Sequence, residues 1–164
     1  MSSLRVLITG LSGVGKSTVI IELQRLGYRA VDLDYAGCSR FDETNDWVWD
    51  LGRVAAVLDA DDELIFVSGS ASNMGALRSR FSRVVLLSAP VETMRERLLS
   101  RTNNRYGKDA EELAESLQYK ETVEPLLRRT ATIEIDTRRP VAEVLDAVLD
   151  HVRSTADERR QDRG

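Results

Sequence analysis

Residues 4–23 read LRVLITGLSGVGKSTVIIEL, and this stretch decides the fold. The apolar run Leu4–Thr9 predicts a buried strand, and the spacing of apolar residues over 16–26 predicts a helix. Between the two, residues 10–17 match the pattern G-x-x-x-x-G-K-[ST] at every fixed position. Because a strand precedes the pattern and an amphipathic helix follows it, the segment indicates a phosphate-binding loop rather than a glycine-rich turn that matches by chance.

Each part of this loop has an expected task. Glycines allow successive backbone N–H groups to turn toward an anion, and the start of the helix adds partial positive charge. We expect Lys16 to bridge the outer phosphates of a nucleoside triphosphate and the Ser17 hydroxyl to bind Mg²⁺. The residues predicted to contact the nucleotide in this segment are Gly10, Ser12, Gly13, Val14, Gly15, Lys16, Ser17 and Thr18.

The composition limits the possible functions. A chain of 164 residues suits one compact domain, and a net charge of −4 argues against a general nucleic-acid binder, which carries a basic face. One Cys and one His exclude an internal disulfide, a cysteine-rich metal site and a His-based triad, so oxygen must hold any metal. The sequence has no apolar run of the length that a membrane span or a signal peptide needs. We expect a cytoplasmic protein, a monomer or homodimer, with neither nucleic acid nor a membrane as partner.

Short apolar runs alternate with longer periodic segments along the chain. This alternation predicts a parallel sheet covered by helices on both faces, in one domain over residues 1–152, with a disordered tail over 153–164. In such sheets ligands bind outside the carboxyl ends of the strands. The predicted strands are 4–9, 28–34, 63–69, 83–89 and 131–136, and the predicted helices are 16–26, 47–58, 91–100, 111–129 and 140–152.

Two aspartates end the second predicted strand. Asp32 and Asp34 alternate there, so both carboxylates are expected to face the phosphate loop. The third predicted strand ends in Ser68, Gly69 and Ser70, without the carboxylate that GTPases and motor ATPases place at that point. We expect one of these carboxylates to order the water shell of Mg²⁺ and the other to orient and deprotonate an acceptor hydroxyl. The alternative is that one or both aspartates only cap a turn.

With this loop and this acidic pair, residues 4 to about 152 resemble the small P-loop kinases, the group of shikimate kinase, gluconate kinase and the nucleoside monophosphate kinases. The resemblance implies a three-layer α/β/α fold with a five-stranded parallel sheet in the order 2-3-1-4-5. It also implies that ATP and Mg²⁺ are the cofactors, that Asp32 serves the metal and Asp34 the acceptor, and that a short lid at about residues 101–112 closes over the triphosphate.

The resemblance further implies roles for arginines around the lid. Arg97 and Arg101 would contact adenine and phosphate, and Arg105, with Arg101, would stabilise charge on the transferring phosphoryl group. A solvated charged helix face is the alternative for these side chains. The family's adenine-side loop corresponds to the segment that contains Asp136, Thr137, Arg138 and Pro140.

The acceptor side matches less of the family pattern. Shikimate kinases hold a substrate carboxylate with arginines; Val123 stands at one of those places, and Arg53 is the candidate for the other. Gly69 and Trp47 are further acceptor-side candidates, with core packing as the alternative for Trp47. The sequence therefore predicts transfer of the γ-phosphate of ATP to a hydroxyl of a small metabolite. The alternatives are a nucleoside or nucleoside monophosphate kinase, and a regulatory ATP-binding protein or ATPase without a small acceptor.

Overall fold

The computed structural model describes residues 3–100 and 109–161, with side chains to residue 154. Five parallel strands form one sheet in the order β2-β5-β1-β6-β7, and β3 pairs with β4 in an antiparallel hairpin. Counting only the strands of the large sheet, this order is the predicted 2-3-1-4-5. The strands are β1 (Leu4–Thr9), β2 (Arg29–Asp32), β3 (Ser39–Phe41), β4 (Trp47–Trp49), β5 (Leu64–Ser68), β6 (Arg83–Ser88) and β7 (Ile133–Asp136).

Helices cover both faces of the sheet, which gives the predicted three-layer α/β/α architecture. Val6 and Ile8 of β1 pack on one face with residues of α1 and α6, whereas Leu7 packs on the other face with α2 and β4. Successive side chains of β1 thus pack in two different apolar clusters, one on each face of the sheet. The helices are α1 (Lys16–Arg25), α2 (Leu51–Leu58), α3 (Val91–Ser100), α4 (Ala110–Thr122), α5 (Glu124–Thr130) and α6 (Val141–Gln161), with a 3₁₀ helix at Met74–Arg80.

Two of the predicted helices are corrected by the structure. The predicted helix 47–58 was wrong at its start, because Trp47–Trp49 is the strand β4 and the helix begins only after Asp50, whose carboxylate accepts a hydrogen bond from the Arg53 backbone N–H. β-branched and aromatic side chains favour a strand at this point. The predicted helix 111–129 is two helices, separated at Val123, because Pro125 at the start of α5 has no N–H to continue the first one.

The end of the chain also differs from the prediction. Helix α6 does not stop at residue 152 but continues to Gln161, so the expected disorder of the tail from residue 153 is wrong over this range. The tail is poor in apolar residues, yet Ala, Glu and Arg have high helix propensity and extend a helix that the core has already nucleated. Residues 162–164 lie outside the described residues.

A charged network fastens α4 and α5 to the sheet. The buried Glu124 accepts hydrogen bonds at Oε1 from Lys120 Nζ at 2.8 Å and from Arg128 Nη2 at 3.0 Å. Lys120 also donates to the Ala89 carbonyl at 2.8 Å, and Arg128 donates to Glu134 Oε1 at 2.6 Å. The network connects the two helices to the carboxyl end of β6 and to β7.

Among the described residues, there is no helix that is both long enough and apolar enough to pass through a membrane.

Candidate active site

A cleft of about 430 Å³ opens at the carboxyl end of β1. Residues 11–19 form one side of it, and Asp34, which follows β2, lies on its wall. The parallel topology explains this meeting, since β1 and β2 flank β5 and end at the same edge of the sheet. The phosphate loop and the second aspartate of the predicted pair therefore share one cavity, as expected from the sequence.

The glycines of the loop are required by its shape. Gly10 has φ 150°, and a Cβ there would lie 2.5 Å from the Leu87 carbonyl oxygen, so β6 leaves no room for a side chain. Gly15 has φ 100° immediately before α1, a conformation that residues with a Cβ rarely adopt. The helix that follows has no side-chain cap at its N-terminus. Its first N–H groups thus face the cleft, where an anion would bind.

Lys16 folds back over the loop. Its Nζ donates to the Gly10 carbonyl and, at 3.1 Å, to the Leu11 carbonyl, which keeps the ammonium group at the floor of the cleft. Because carbonyl oxygens carry only partial negative charge, phosphate oxygens in the same cleft would be stronger partners for this cation. This arrangement fits the predicted role of Lys16 toward a polyphosphate.

The side chains beside Lys16 fit Mg²⁺. The Ser17 hydroxyl donates to Asp32 Oδ2 at 2.8 Å, so the two predicted metal-binding groups are in contact. Ser68 is paired with Asp32 across β2 and β5, and its buried Oγ has no hydrogen-bond partner among the described residues. Mg²⁺ keeps several waters and needs only one or two protein oxygens, so this set of oxygens suits it. In the described part of the chain, no cluster of three or more His, Cys, Asp or Glu residues forms an alternative metal site.

Asp34 has a different environment from Asp32. Burial raises the pKa of the Asp34 carboxyl and the Asp32 charge raises it further, against the opposing effects of Lys16 and of a hydrogen bond from Trp47. That bond joins Trp47 Nε1 to Asp34 Oδ1 at 3.0 Å. Asp32 Oδ1 accepts from the Asp34 backbone N–H at 3.0 Å, which closes the turn after β2. Asp32 therefore caps the turn and contacts Ser17, whereas Asp34 lines the cleft, so the turn-capping alternative applies to Asp32 alone.

The hairpin that carries Trp47 is fixed from the opposite side. Asn73 Oδ1 accepts from the Trp49 backbone N–H at 2.8 Å, and Asn73 Nδ2 donates to the Trp49 carbonyl at 2.9 Å. The Ser72 backbone N–H donates to the Trp47 carbonyl at 3.0 Å. The turn at residues 72–73 thus holds β4 through one backbone bond and the two bonds of the Asn73 side-chain amide.

Arg97 braces the outer side of the phosphate loop. Its guanidinium donates to Thr137 Oγ1 at 2.7 Å, to the Thr137 carbonyl at 2.6 Å and to the Val14 carbonyl at 3.1 Å. The buried Thr137 hydroxyl is also 2.7 Å from the Val14 carbonyl and donates to it. Arg97 lines the cleft, but these bonds show that it holds the loop against the segment after β7. Its predicted contact with adenine stays a prediction.

The model of the AAA domain family matches residues 6–118, which is more than half of the chain. The chain belongs to the AAA domain family. The match spans the phosphate loop and both aspartates, and it ends within α4. A search of curated proteins gives no match.

Solved structures show that this AAA domain has the fold of the small P-loop kinases. Shikimate kinase from Acinetobacter baumannii, in complex with shikimate, is 22% identical with a TM-score of 0.65, over 93% of this chain and 94% of that one. For shikimate kinase from Bacteroides thetaiotaomicron the values are 16%, 0.63, 92% and 98%. For a gluconokinase from Sinorhizobium meliloti 1021 they are 19%, 0.59, 94% and 94%. The resemblance seen in the sequence is confirmed for the fold.

The remaining predicted residues of this AAA domain lie around the cleft rather than in it. Asp136 and Arg138 pair with each other at 2.7 Å on the surface, and this arginine lowers the pKa of Asp136 to about 2. Arg53 is exposed and donates to the Gly37 carbonyl at 3.0 Å. Gly69 packs on Trp49, since a Cβ there would lie 3.2 Å from the indole nitrogen. The ligand roles of these residues and of Pro140 stay predictions.

Two predicted arginines and most of the predicted lid lie outside the described residues. These are Arg101 and Arg105, with the lid segment up to residue 108. The remainder of the predicted lid is the start of α4, where Asp109 accepts a hydrogen bond from the Glu112 backbone N–H at 2.8 Å. This part is a capped helix.

The cleft of this AAA domain also has walls that the sequence interpretation missed. Of the residues after β7, the sequence interpretation selected Asp136, Thr137, Arg138 and Pro140, whereas Thr137 and the unselected Arg139 line the cleft. Tyr35 could have been found as the neighbour of Asp34, and the apolar spacing at the start of α6 marks two valines. The missed residues are Leu11, Val19, Tyr35, Ser100, Arg139, Val141 and Val144.

Proposed function

We propose that this protein is an ATP- and Mg²⁺-dependent kinase that transfers the γ-phosphate to a hydroxyl group of a small molecule. The observation that carries the proposal is the single cleft in which Lys16, Ser17 and Asp34 line the same space. A protein that only binds ATP needs the phosphate loop, but it has no use for a second, partly buried carboxylate facing that loop. The shared fold with shikimate kinase and gluconokinase supports the same interpretation.

The residues of the cleft would have separate tasks, which depend on their positions. The phosphate loop and the N-terminus of α1 would hold the triphosphate, and Lys16 would leave its carbonyl partners to neutralise the outer phosphates. Ser17 and Asp32 would hold Mg²⁺, which supplies positive charge to the phosphate oxygens. Arg97 would keep the loop in shape through its bonds to Val14 and Thr137.

Asp34 would serve the acceptor. The acceptor oxygen forms a bond to the γ-phosphorus while the bond from that phosphorus to the bridging oxygen breaks, and ADP leaves with the electron pair. The hydroxyl proton passes to the Asp34 carboxylate. A positioned base of this kind contributes about 10²–10⁴ in rate. We place the enzyme in the cytoplasm, as a monomer or homodimer.

A phosphoryl-transfer screen tests the proposal. The protein is incubated with γ-labelled ATP, Mg²⁺ and a library containing shikimate, gluconate, nucleosides and nucleoside monophosphates, and labelled products are separated by chromatography. We expect one acceptor class to become labelled. Hydrolysis of ATP that no library member changes, with no labelled product, would contradict a kinase and favour the regulatory alternative.

Two aspartate variants sharpen this screen. Asp34→Asn should bind ATP like the wild type and lose phosphoryl transfer by about 10²-fold or more, because the amide cannot accept the proton. Asp46→Asn, at the exposed tip of the hairpin, is the matched control and should retain turnover. Unchanged turnover in Asp34→Asn would remove this residue from the reaction.

A further inference from the structure

The two tryptophans of the chain differ in what their indole N–H groups meet. Trp47 Nε1 donates to Asp34 Oδ1 at 3.0 Å, at the wall of the cleft. Trp49 is buried, and its Nε1 has no hydrogen-bond partner among the described residues. An indole offers one donor, and a carboxylate offers two oxygens. Trp47 therefore occupies one oxygen of Asp34 and leaves the second one available.

The position of the Trp47 ring is fixed independently of Asp34. Its backbone carbonyl accepts from the Ser72 N–H at 3.0 Å, and the ring packs edge-on against Phe41 with centroids 4.8 Å apart. The Asn73 side chain holds β4 two residues further along, through its two bonds to the Trp49 backbone. A donor that the scaffold holds in place can orient a carboxylate, whereas a donor on a mobile side chain would follow it.

We propose that Trp47 is a positioning residue, whose indole N–H holds one oxygen of Asp34 and so turns the other oxygen toward the acceptor hydroxyl. The inference rests on the proposed kinase function and adds a residue that acts through Asp34. It reinterprets the expectation that Trp47 contacts the acceptor directly. A carboxylate free to rotate about its Cβ–Cγ bond would spend part of its time with neither oxygen directed at the hydroxyl, and the fixed bond removes this loss.

The first test needs no acceptor. With ¹⁵N-labelled indoles the protein gives two indole N–H signals, which Trp47→Phe and Trp49→Phe assign by their loss. We expect Asp34→Ala to move the Trp47 signal upfield at constant pH, because a hydrogen bond to a carboxylate deshields the proton, and to leave the Trp49 signal in place. An unmoved Trp47 signal would show that the bond does not exist in solution and would overturn the inference.

The second test measures turnover with the acceptor that the screen identifies. Trp47→Phe keeps an aromatic ring and removes the donor, so kcat should fall by about tenfold or more while KM for ATP stays near the wild-type value. Trp49→Phe makes the same chemical change at an N–H that donates to no described group, and its kcat should stay near that of the wild type. Equal kcat values in the two variants would overturn the positioning role.

The two tests separate this inference from the proposed function. If no library member accepts phosphate, the kinase proposal fails whatever the indole signals show. If an acceptor is found and Asp34→Asn is inactive, but Trp47→Phe turns over like Trp49→Phe, the kinase proposal stands and the role of Trp47 is overturned.

Discussion

At the scale of single residues, the cleft is held together by groups that a nucleotide would have to displace. Lys16 donates to two carbonyls of its own loop, and Ser17 donates to Asp32. These bonds satisfy the polar groups in the absence of phosphate and keep the loop folded. When a nucleotide binds, Lys16 exchanges carbonyl oxygens, which carry partial charge, for phosphate oxygens, which carry full charge. This exchange favours the complex without any large rearrangement of the backbone.

Lys16→Ala should therefore remove most of the stabilisation by nucleotide. At about 100 times its Kd, a ligand adds about 2.7 kcal/mol to the free energy of unfolding, equivalent to about 5–10 °C in Tm for a domain of this size. Thermal unfolding with and without ATP and Mg²⁺ should show this rise for the wild type and lose most of it in the variant. Arg25→Ala, which removes an exposed cation from the same helix, is the control and should keep the rise.

The roles of the loop residues could be predicted from the sequence because they follow from a local pattern. Lys16, Ser17 and the preceding glycines lie within eight consecutive positions, so their geometry depends on one strand, one loop and one helix. The bond between Trp47 and Asp34 could not be predicted in this way. It depends on a hairpin whose second strand is held by Asn73, and no local pattern relates these three positions.

At the scale of elements, the sequence predicted the ends of helices and strands that depend on local residue propensity. It did not predict the ends that depend on tertiary contacts. Helix α3 begins and ends where the sequence placed it, because Pro90 precedes it and its apolar residues are regular. The hairpin β3–β4 was missed because its strands are only three residues long. Such short strands leave too little alternation to recognise.

A substitution at Glu124 tests how α4 and α5 attach to the sheet. Glu124→Gln should lower the free energy of unfolding by about 1–3 kcal/mol, because Lys120 and Arg128 lose their shared charged acceptor. Urea denaturation measures this change. Glu121→Gln makes the same substitution at an exposed position of α4 and should change stability by less than about 0.5 kcal/mol. Equal stabilities for both variants would contradict an anchoring role for the network.

At the scale of the whole molecule, strand order follows from physical rules that the sequence already contained. Apolar strands alternating with helices require a parallel sheet with both faces covered, and right-handed crossovers then leave few orders to consider. The family resemblance selected 2-3-1-4-5 among them, and the observed order β2-β5-β1-β6-β7 confirms it. The site could be located in the same way, since carboxyl ends of parallel strands share one edge.

The two-faced core gives a prediction for the stability of the molecule. Leu23 of α1 is fully buried against the sheet face below the phosphate loop, and Leu26, just beyond the helix, is 58% exposed. Leu23→Ala should cost about 2–5 kcal/mol of unfolding free energy, whereas Leu26→Ala should cost less than about 0.5 kcal/mol. Chemical denaturation followed by circular dichroism measures both. Similar costs would mean that α1 does not pack on the sheet in solution.

The hairpin has a practical consequence for engineering. Its tip, residues 42–46, forms hydrogen bonds within itself, while the strands below it are held by Asn73 and Ser72. Foreign loops grafted at the tip, or a fluorophore attached there, should leave the Asp34 carboxylate undisturbed. The tip can accordingly serve as a small exchangeable cassette for labels or fusion partners, with the rest of the scaffold kept constant.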